Sequence, residues 1–364
     1  MKQAKLLAIS PILLLGACTA GSGFSSGPAA LPAINVAASG ETAPVGTAND
    51  DAADDPAVWL NPADPAQSLI VGTDKKAGLY VYGLDGKVRS FLPAGRLNNV
   101  DLLPIEGGAL VVSSDRNDIA NSRIALFRLT PDGELAPLGT VDSGPGEAYG
   151  ICLQRKPGFV SPQTGGMPRN RVQIVATAYA ALKDGTVREV TIYRPSDGAE
   201  PAAAIRREWK LASQIEGCVT DPSSGDLYIS EEDVGIWGIH AAQYGAQPDR
   251  IASVGSDQGL VPDVEGLAFL PREGGTGYLV ASSQGDNAYA VLDSDSGRLL
   301  GRFRISGGAI GSTEETDGIE LAAGNFGSDY PDGLFVAQDG QNAPEAQNFK
   351  LVSWKDIKAA LGLE

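Results

Sequence analysis

Residues 70–74 read Ile-Val-Gly-Thr-Asp, an apolar strand that ends on polar residues. The same pattern returns five more times, in stretches that begin at residues 111, 174, 228, 279 and 335. From Val71 to Val336 the six copies span 265 residues, a mean interval of 53. A strand-rich repeat of about 50 residues is typical of a propeller blade. The sequence therefore predicts an all-β, single-domain, six-bladed β-propeller, with one helix at residues 353–362.

A second repeat lies upstream of each copy, where acidic or polar residues open an apolar strand. Because neighbouring strands run antiparallel, the start of one lies beside the end of the next. We therefore expect both sets of polar residues on one face of the disc, ringing its axis. The strand-opening acids are Asp55, Asp101, Glu216, Asp263, Glu265 and Asp317, and the strand-ending groups are Asp74, Glu231, Glu232, Gln284 and Asp339.

Composition excludes several classes of function. The chain has 28 Lys and Arg against 45 Asp and Glu, a formal net charge of −17, and one histidine. Nonspecific nucleic-acid binding needs clustered basic residues and is not expected. Zinc sites rich in His and Cys, and phosphatases with an Arg-His-Gly motif, are excluded by the residues present.

The ring of carboxylates predicts hard cations bound through oxygen, Ca²⁺ above all and Mg²⁺ less so. Basic residues interrupt the ring at Lys75, Lys76, Arg116 and Lys183. They either pair with the neighbouring acids or bind phosphate oxygens. Cations and basic residues in one site favour a polyanionic phosphate ligand, with metal-activated water as the nucleophile.

The N-terminus is interpreted as a targeting segment. Residues 1–18 carry two lysines, a short apolar run and Leu-Gly-Ala-Cys, which resembles a bacterial lipobox ending at Cys18. The run is too short for a membrane-spanning helix. Residues 19–39 are interpreted as a flexible tether and residues 40–364 as the propeller. An ordinary cleaved signal peptide, with Cys18 incidental, is the alternative.

Two cysteines remain after Cys18 is set aside. Cys152 follows Tyr149 by three residues, and Cys218 follows Glu216 by two, so each lies just inside a site-opening strand. These strands belong to successive blades. In an exported protein we expect a disulfide between Cys152 and Cys218, with two buried free thiols as the alternative.

Several ordered motifs resemble the β-propeller phytases, the calcium-dependent 3-phytase family. They are Asp54-Asp55-Pro-Ala-Val-Trp, Gly72-Thr73-Asp74-Lys75-Lys76, Asn98-Asn99-Val100-Asp101, Glu216-Gly217, Ser230-Glu231-Glu232-Asp233, Ser282-Ser283-Gln284-Gly285 and Phe335-Val-Ala-Gln338-Asp339-Gly340. The resemblance covers about residues 40–360. It implies a six-bladed, calcium-dependent phosphomonoesterase that acts on phytate, myo-inositol hexakisphosphate, and holds several Ca²⁺ ions.

The resemblance also implies residue roles. Catalytic calcium ligands would be Asp55, Glu216, Glu232, Glu265 and Asp263; structural calcium positions would be Asn99, Val100 (through its carbonyl) and Asp339; Gln284 and Asp317 complete the ring. Phosphate-binding positions would be Lys75, Lys76, Arg116, Tyr149 and Lys183. The predicted catalytic set is Glu216, Glu232, Asp55, Lys75 and Lys76, with water held between calcium ions attacking phosphorus.

One position departs from the family pattern. Six residues before Asp317 the family usually has Asp, and this chain has Gly311. Either Glu314 or Glu315 reaches back to replace the ligand, or the site has one carboxylate fewer and binds calcium more weakly. We expect the weaker site, because an offset of three residues in a turn points the side chain elsewhere.

Two other functions remain as alternatives: a propeller hydrolase of the lactonase type, and a non-enzymatic binding propeller of the cell envelope. The expected partner is phytate, as a calcium complex, with no nucleic acid. We expect a monomer, exported and attached to the membrane only by the lipid on Cys18, in the outer membrane or otherwise periplasmic or extracellular.

Overall fold

The structure is a computed structural model that describes residues 31–48, 50–159, 172–195, 200–255 and 257–364. In chain order the strands are β1 (Ile34–Val36), β2 (Gly40–Glu41), β3 (Ala53–Trp59), β4 (Leu69–Asp74), β5 (Gly78–Gly83), β6 (Val88–Pro93), β7 (Leu97–Ile105), β8 (Gly108–Asp115), β9 (Asn121–Leu129), β10 (Leu135–Pro145), β11 (Ala148–Leu153), β12 (Val172–Leu182), β13 (Thr186–Pro195), β14 (Ala202–Lys210), β15 (Ile215–Thr220), β16 (Leu227–Glu231), β17 (Gly235–Ile239), β18 (Asp249–Ser253), β19 (Val264–Pro271), β20 (Gly277–Ser283), β21 (Ala288–Asp293), β22 (Leu299–Ile305), β23 (Ile319–Ala322), β24 (Leu334–Asp339) and β25 (Asn348–Ser353).

These strands form six sheets, antiparallel except for the pairing of β1 with β22, and the sheets are the predicted six blades. Blades 1 to 5 are β3–β6, β7–β10, β11–β14, β15–β18 and β19–β22; blade 6 is β23–β25 with β2 as its outer strand. The N-terminal β2 therefore closes the ring, through Gly40 opposite Leu351 and Glu41 opposite Lys350. The six-bladed fold is confirmed. Each repeat found in the sequence is the second strand of one blade.

The core consists of six apolar clusters, one between each pair of neighbouring blades. Successive side chains of a strand point to opposite faces, so one strand contributes to two clusters. Ile70 packs toward blade 6, whereas its neighbour Val71 packs toward blade 2. Both faces of the second strand are buried in blades 1, 2, 4, 5 and 6, which is why the repeat reads as a continuous apolar run instead of an alternating one, whereas Ile174 and Val175 of blade 3 are exposed.

The predicted helix is confirmed as α1 (Trp354–Leu361), which ends at Gly362 in the left-handed region with φ 65°. Trp354 and Ile357 are buried against blades 5 and 6. No other α-helix is found in the described part of the chain. None of the described helices is long and apolar enough to cross a membrane.

A disulfide joins Cys152 of β11 to Cys218 of β15, with Cα atoms 5.7 Å apart. These are the innermost strands of blades 3 and 4, so the bond ties two neighbouring blades together at the axis. It closes a sequence separation of 66 residues. The alternative of two free buried thiols is not what the structure contains.

The tether predicted over residues 19–39 extends too far. Ile34–Val36 forms β1, which pairs in parallel with Phe303–Ile305 at the outer edge of blade 5. The Arg302 guanidinium also donates to the Leu31 carbonyl. The composition of a low-complexity segment does not reveal a partner strand that is distant in sequence. The predicted tether therefore included Ile34–Val36, which belongs to the folded domain. Cys18 and the predicted lipobox lie outside the described residues.

Candidate active site

A basin of about 1220 Å³ opens where the innermost strands begin. Acidic, amide and aromatic side chains, one lysine and the segment 340–347 line it. The acids are Asp50, Asp51, Glu216, Asp263, Glu265, Glu315, Asp317 and, within the segment 340–347, Glu345. The predicted gathering of strand-opening acids on one face therefore holds for blades 4 to 6, whereas Asp55 of blade 1 and Asp101 of blade 2 line a separate cavity.

Three glutamates lie close together on this face. Glu216 opens β15, Glu232 follows β16, and Glu265 opens β19; each can offer a carboxylate oxygen within 4.8 Å of the other two. All three are buried. The side-chain amide of Asn98 donates to Glu216 at 2.6 Å, and that of Gln214 donates to Glu232 at 2.7 Å. The Oε2 atom of Glu265 is buried with no hydrogen-bond partner among the described residues.

The electrostatics of the three glutamates call for a cation. Burial raises the pKa of Glu216 well above its usual value, and the charges of Asp54 and Glu265 add to this. Burial also raises the pKa of Glu265, with further contributions from Asp317 and Glu232. Crowded buried carboxylates do not all ionise without compensation. An all-oxygen donor set with one unpartnered buried oxygen fits a hard cation of the calcium type.

Lys75 is the lysine of the basin. Its ammonium lies 2.9 Å from Asp54, 3.1 Å from Asp317 and 2.7 Å from Asp51. Burial opposes its charge, but the three carboxylates outweigh burial and raise the pKa of Lys75. Gln284 donates to the other oxygen of Asp317 at 2.7 Å. The predicted positions Lys75, Gln284 and Asp317 are thus brought together.

Asp55 does not lie in the basin, which corrects its predicted role as a catalytic ligand. Its Oδ2 accepts a hydrogen bond from the Val100 amide at 2.9 Å. It lines a small axial cavity with Asn99 and Val100, the two predicted structural positions. Asp54, and not Asp55, lies beside Lys75 in the basin. The register of β3 shifts between Ala53 and Pro56, so sequence alternation does not tell which of the two consecutive aspartates faces the basin.

Asp101 also lies in the axial cavity and not in the basin. It forms an ion pair with Arg155, whose guanidinium also lies 3.6 Å from Glu320. Burial raises the pKa of Glu320 to about 7 in spite of Arg155. The positive charge beside Asp101 and Glu320 in the axial cavity therefore comes from Arg155 of the protein itself.

Asp339 is the clearest departure from the predicted metal set. Its carboxylate lies 3.3 Å from the ammonium of Lys350 and accepts hydrogen bonds from the Glu314 and Gln341 amides. Lys350 is buried and also contacts Glu41 at 2.6 Å. The ammonium of Lys350, a residue of β25, thus supplies positive charge at Asp339, where a structural calcium ion was predicted. Asp74 and Glu231 are likewise buried and hydrogen-bonded within the protein.

The other predicted phosphate-binding residues surround Tyr149, which lines the basin. The guanidinium of Arg116 and the ammonium of Lys183 lie 5.0 Å and 4.9 Å from the centre of its ring. Arg116 also pairs with Glu147. Lys76 lies further out, 3.6 Å from Asp50 and 39% exposed. Arg116, Tyr149 and Lys183 therefore form one wall, and Lys76 lies at the rim.

Asp263 lines the basin and is partly exposed. Burial raises its pKa, and the neighbouring charge of Asp233 raises it further.

Gly311 stands where the family pattern has an acid, and two glutamates follow it. Of these, Glu315 lines the basin, where its carboxylate accepts a hydrogen bond from the Gln341 side-chain amide at 2.6 Å. Neither Gly311 nor Glu314 lines the basin.

The sequence analysis gave no role to three residues of the site: Asp54, Asn98 and Gln214. Asn98 both donates to Glu216 and accepts from Arg116 at 2.5 Å, so it joins the acidic and basic walls. The signal that could have found them is adjacency, because each lies one or two residues from a predicted site residue.

Fold and basin together define a β-propeller enzyme whose site brings buried carboxylates and basic side chains together. The phytase family model matches residues 3–364. The 3-phytase of Bacillus subtilis (strain 168) is 37% identical over 347 residues, which are 90% of this chain and 86% of that relative. The chain belongs to the phytase family and is a phosphoric monoester hydrolase.

A chain of a solved structure titled "Crystal Structure of Mitotic Checkpoint Complex" aligns with 97% of this chain and 86% of its own length. Its TM-score is 0.48 and its sequence identity is 9%. A likeness this weak informs neither the fold nor the function.

Proposed function

We propose that the chain is a calcium-dependent 3-phytase, which hydrolyses phytate to lower inositol phosphates and phosphate. The observation that carries the calcium dependence is the buried trio Glu216, Glu232 and Glu265, with one oxygen of Glu265 unpartnered. These three residues would hold calcium, with Asp317 and Asp263 as further oxygen donors at the same basin. Bound calcium supplies Lewis-acid stabilisation of phosphoryl oxygens and lowers the pKa of water.

The chain's own residues bind and orient the substrate. Lys75 offers its ammonium to a phosphate inside the basin. Beside Tyr149, Arg116 offers its guanidinium and Lys183 its ammonium. Phytate carries several phosphates, so neighbouring groups occupy these positions together. The lysines and the arginine offset the charge that develops on phosphoryl oxygens in the transition state. Water adds to phosphorus as the phosphorus–oxygen bond to inositol breaks, and the inositol oxygen takes up a proton.

Phosphate release from phytate, with and without a calcium chelator, tests this function. We expect release that stops on chelation and returns when calcium is added back. A lactone substrate serves as the control for a hydrolase of the lactonase type and should remain intact. Release of phosphate that is insensitive to chelation would remove calcium from the proposal. No release under any condition would favour a binding propeller.

We further propose that the protein is exported and carries lipid on Cys18, and that it acts as a monomer on phytate in complex with calcium. The proposal rests on the apolar run and the lipobox-like ending of residues 1–18. Replacing Cys18 with Ser should move the protein from the membrane fraction to the soluble fraction of the producing cells. If the variant remains with the membrane, the lipobox interpretation fails.

A further inference from the structure

We propose that Asp51 occupies the phosphate position at Lys75 in the free enzyme and has to leave before a substrate phosphate binds there. This inference rests on the proposed function. It assigns a role in setting anion affinity to an exposed aspartate outside the predicted site. Asp51 would lower the affinity of the basin for every anion that uses Lys75.

The argument begins with the hydrogen-bonding capacity of Lys75. An ammonium has three donors. Three carboxylates lie within reach of the Lys75 ammonium, Asp51 at 2.7 Å, Asp54 at 2.9 Å and Asp317 at 3.1 Å. All three donors are therefore in use, and a phosphate gains one only when a carboxylate withdraws.

Exposure indicates which carboxylate withdraws. The side chain of Asp54 is 1% exposed and that of Asp317 is 16% exposed, whereas that of Asp51 is 62% exposed. Asp54 is enclosed by the protein, and Asp317 is also held by Gln284. Asp51 contacts Lys75 from the solvent side and is hydrated at once when it moves away.

The backbone beside Asp51 is fixed, so its side chain alone has to move. The side-chain oxygen of Gln347 accepts hydrogen bonds from the Ala52 and Ala53 amides at 2.7 and 2.9 Å. The Ala52 carbonyl accepts from the Lys75 amide at 2.7 Å. Asp51 is therefore presented to Lys75 from a fixed base, as an intramolecular anion at high effective concentration.

The chemical consequence is weaker binding of every anion at Lys75, which leaves only ligands that make further contacts tightly bound. A single phosphate competes with Asp51 through one contact at Lys75. A polyphosphorylated ligand that also reaches Arg116 and Lys183 compensates for the lost ion pair through those contacts. Orthophosphate, the product, is therefore held weakly and leaves readily.

The test is an Asp51→Asn variant, which keeps the shape of the side chain and removes its charge. An exposed ion pair contributes up to about 1 kcal/mol, so the dissociation constant of orthophosphate should fall by about threefold to fivefold. Equilibrium dialysis with labelled orthophosphate on the calcium-loaded protein measures this directly. KM for phytate should fall by a similar factor, and the calcium concentration for half-maximal activity should not change.

Two further variants sharpen the result. Asp51→Glu restores the carboxylate and should return the wild-type values. Asp85→Asn removes an exposed charge that pairs with Lys87 and Arg89 on blade 1, and should leave orthophosphate binding unchanged. An unchanged or weaker orthophosphate affinity in Asp51→Asn overturns the proposal. A raised calcium requirement also overturns it, since Asp51 would then be a metal ligand.

Failure of this inference is distinguishable from failure of the proposed function. Dialysis reports on Asp51 even if phytate is not the substrate. Conversely, normal phytate hydrolysis with unaltered orthophosphate binding in Asp51→Asn rejects the role of Asp51 alone.

Discussion

A Glu232→Gln variant is expected to hydrolyse phytate about 100-fold more slowly than the wild type at moderate calcium. Loss of even an outer-shell partner of a metal ligand costs 10- to 100-fold, and loss of a ligand costs at least as much. The carboxamide removes one negative charge from the trio with Glu216 and Glu265. Its oxygen is also drawn toward the Gln214 amide, which donates to Glu232 at 2.7 Å, leaving the NH₂ group to face the cation.

Steady-state hydrolysis over a range of calcium concentrations measures the effect. We expect the half-maximal calcium concentration to rise strongly and the rate to recover in part at high calcium. Lys76→Gln, at the exposed rim, should cost much less. Glu189→Gln is a matched control, because Glu189 is fully buried and pairs with Arg207 on blade 3. It should lower thermal stability and leave the calcium dependence unchanged. A Glu232→Gln enzyme with near-normal rate and calcium dependence would exclude Glu232 from the metal shell.

Removal of calcium is expected to lower Tm by about 3–5 °C for each ion lost. An ion present at 100 times its dissociation constant stabilises the folded state by about 2.7 kcal/mol. One kcal/mol corresponds to roughly 2–4 °C for domains of 150–250 residues, and this chain is larger still. The buried glutamates of the basin are the cause, since their mutual repulsion is uncompensated after chelation.

A Glu265→Gln variant gives this prediction a sharper form. Glu265 has a buried, unpartnered oxygen, so removing its charge should raise Tm in the presence of chelator. The same variant should melt below the wild type in saturating calcium. Calorimetric melts at neutral pH in the two conditions would show this crossing, and Asp85→Asn should show none. Wild-type melts that coincide with and without calcium would contradict the prediction.

The sequence predicted the propeller well because the repeat is carried by local pattern. Five of the six blades have an apolar second strand buried on both faces, and Val71, Val112 and Ile229 mark three of these strands. Positions along the chain were enough to predict the number of blades and the terminal helix. They also predicted that the two cysteines lie on neighbouring inner strands. Ring closure by β2 was not predicted, since two residues paired with a strand some 310 positions away leave no local signal.

The site was predicted less evenly. Glu216, Glu232 and Glu265 were identified and lie together, as do Lys75 and Asp317. The calcium role of Asp339 stays a prediction, and the sequence did not show that Lys350 on the adjacent strand lies beside it.

The sequence by itself determined the number of blades and the placing of acids at the starts of the innermost strands. Only the tertiary structure decided which acids face the basin. The register shifts at the start of the innermost strands of blades 1 to 5, between Ala53 and Pro56, for example, and between Leu97 and Val100. Such a bulge re-aims side chains that alternation alone would place on fixed faces. Asp54 therefore reaches Lys75 and Asp55 lines the axial cavity, a distinction that depends on backbone geometry and not on residue type.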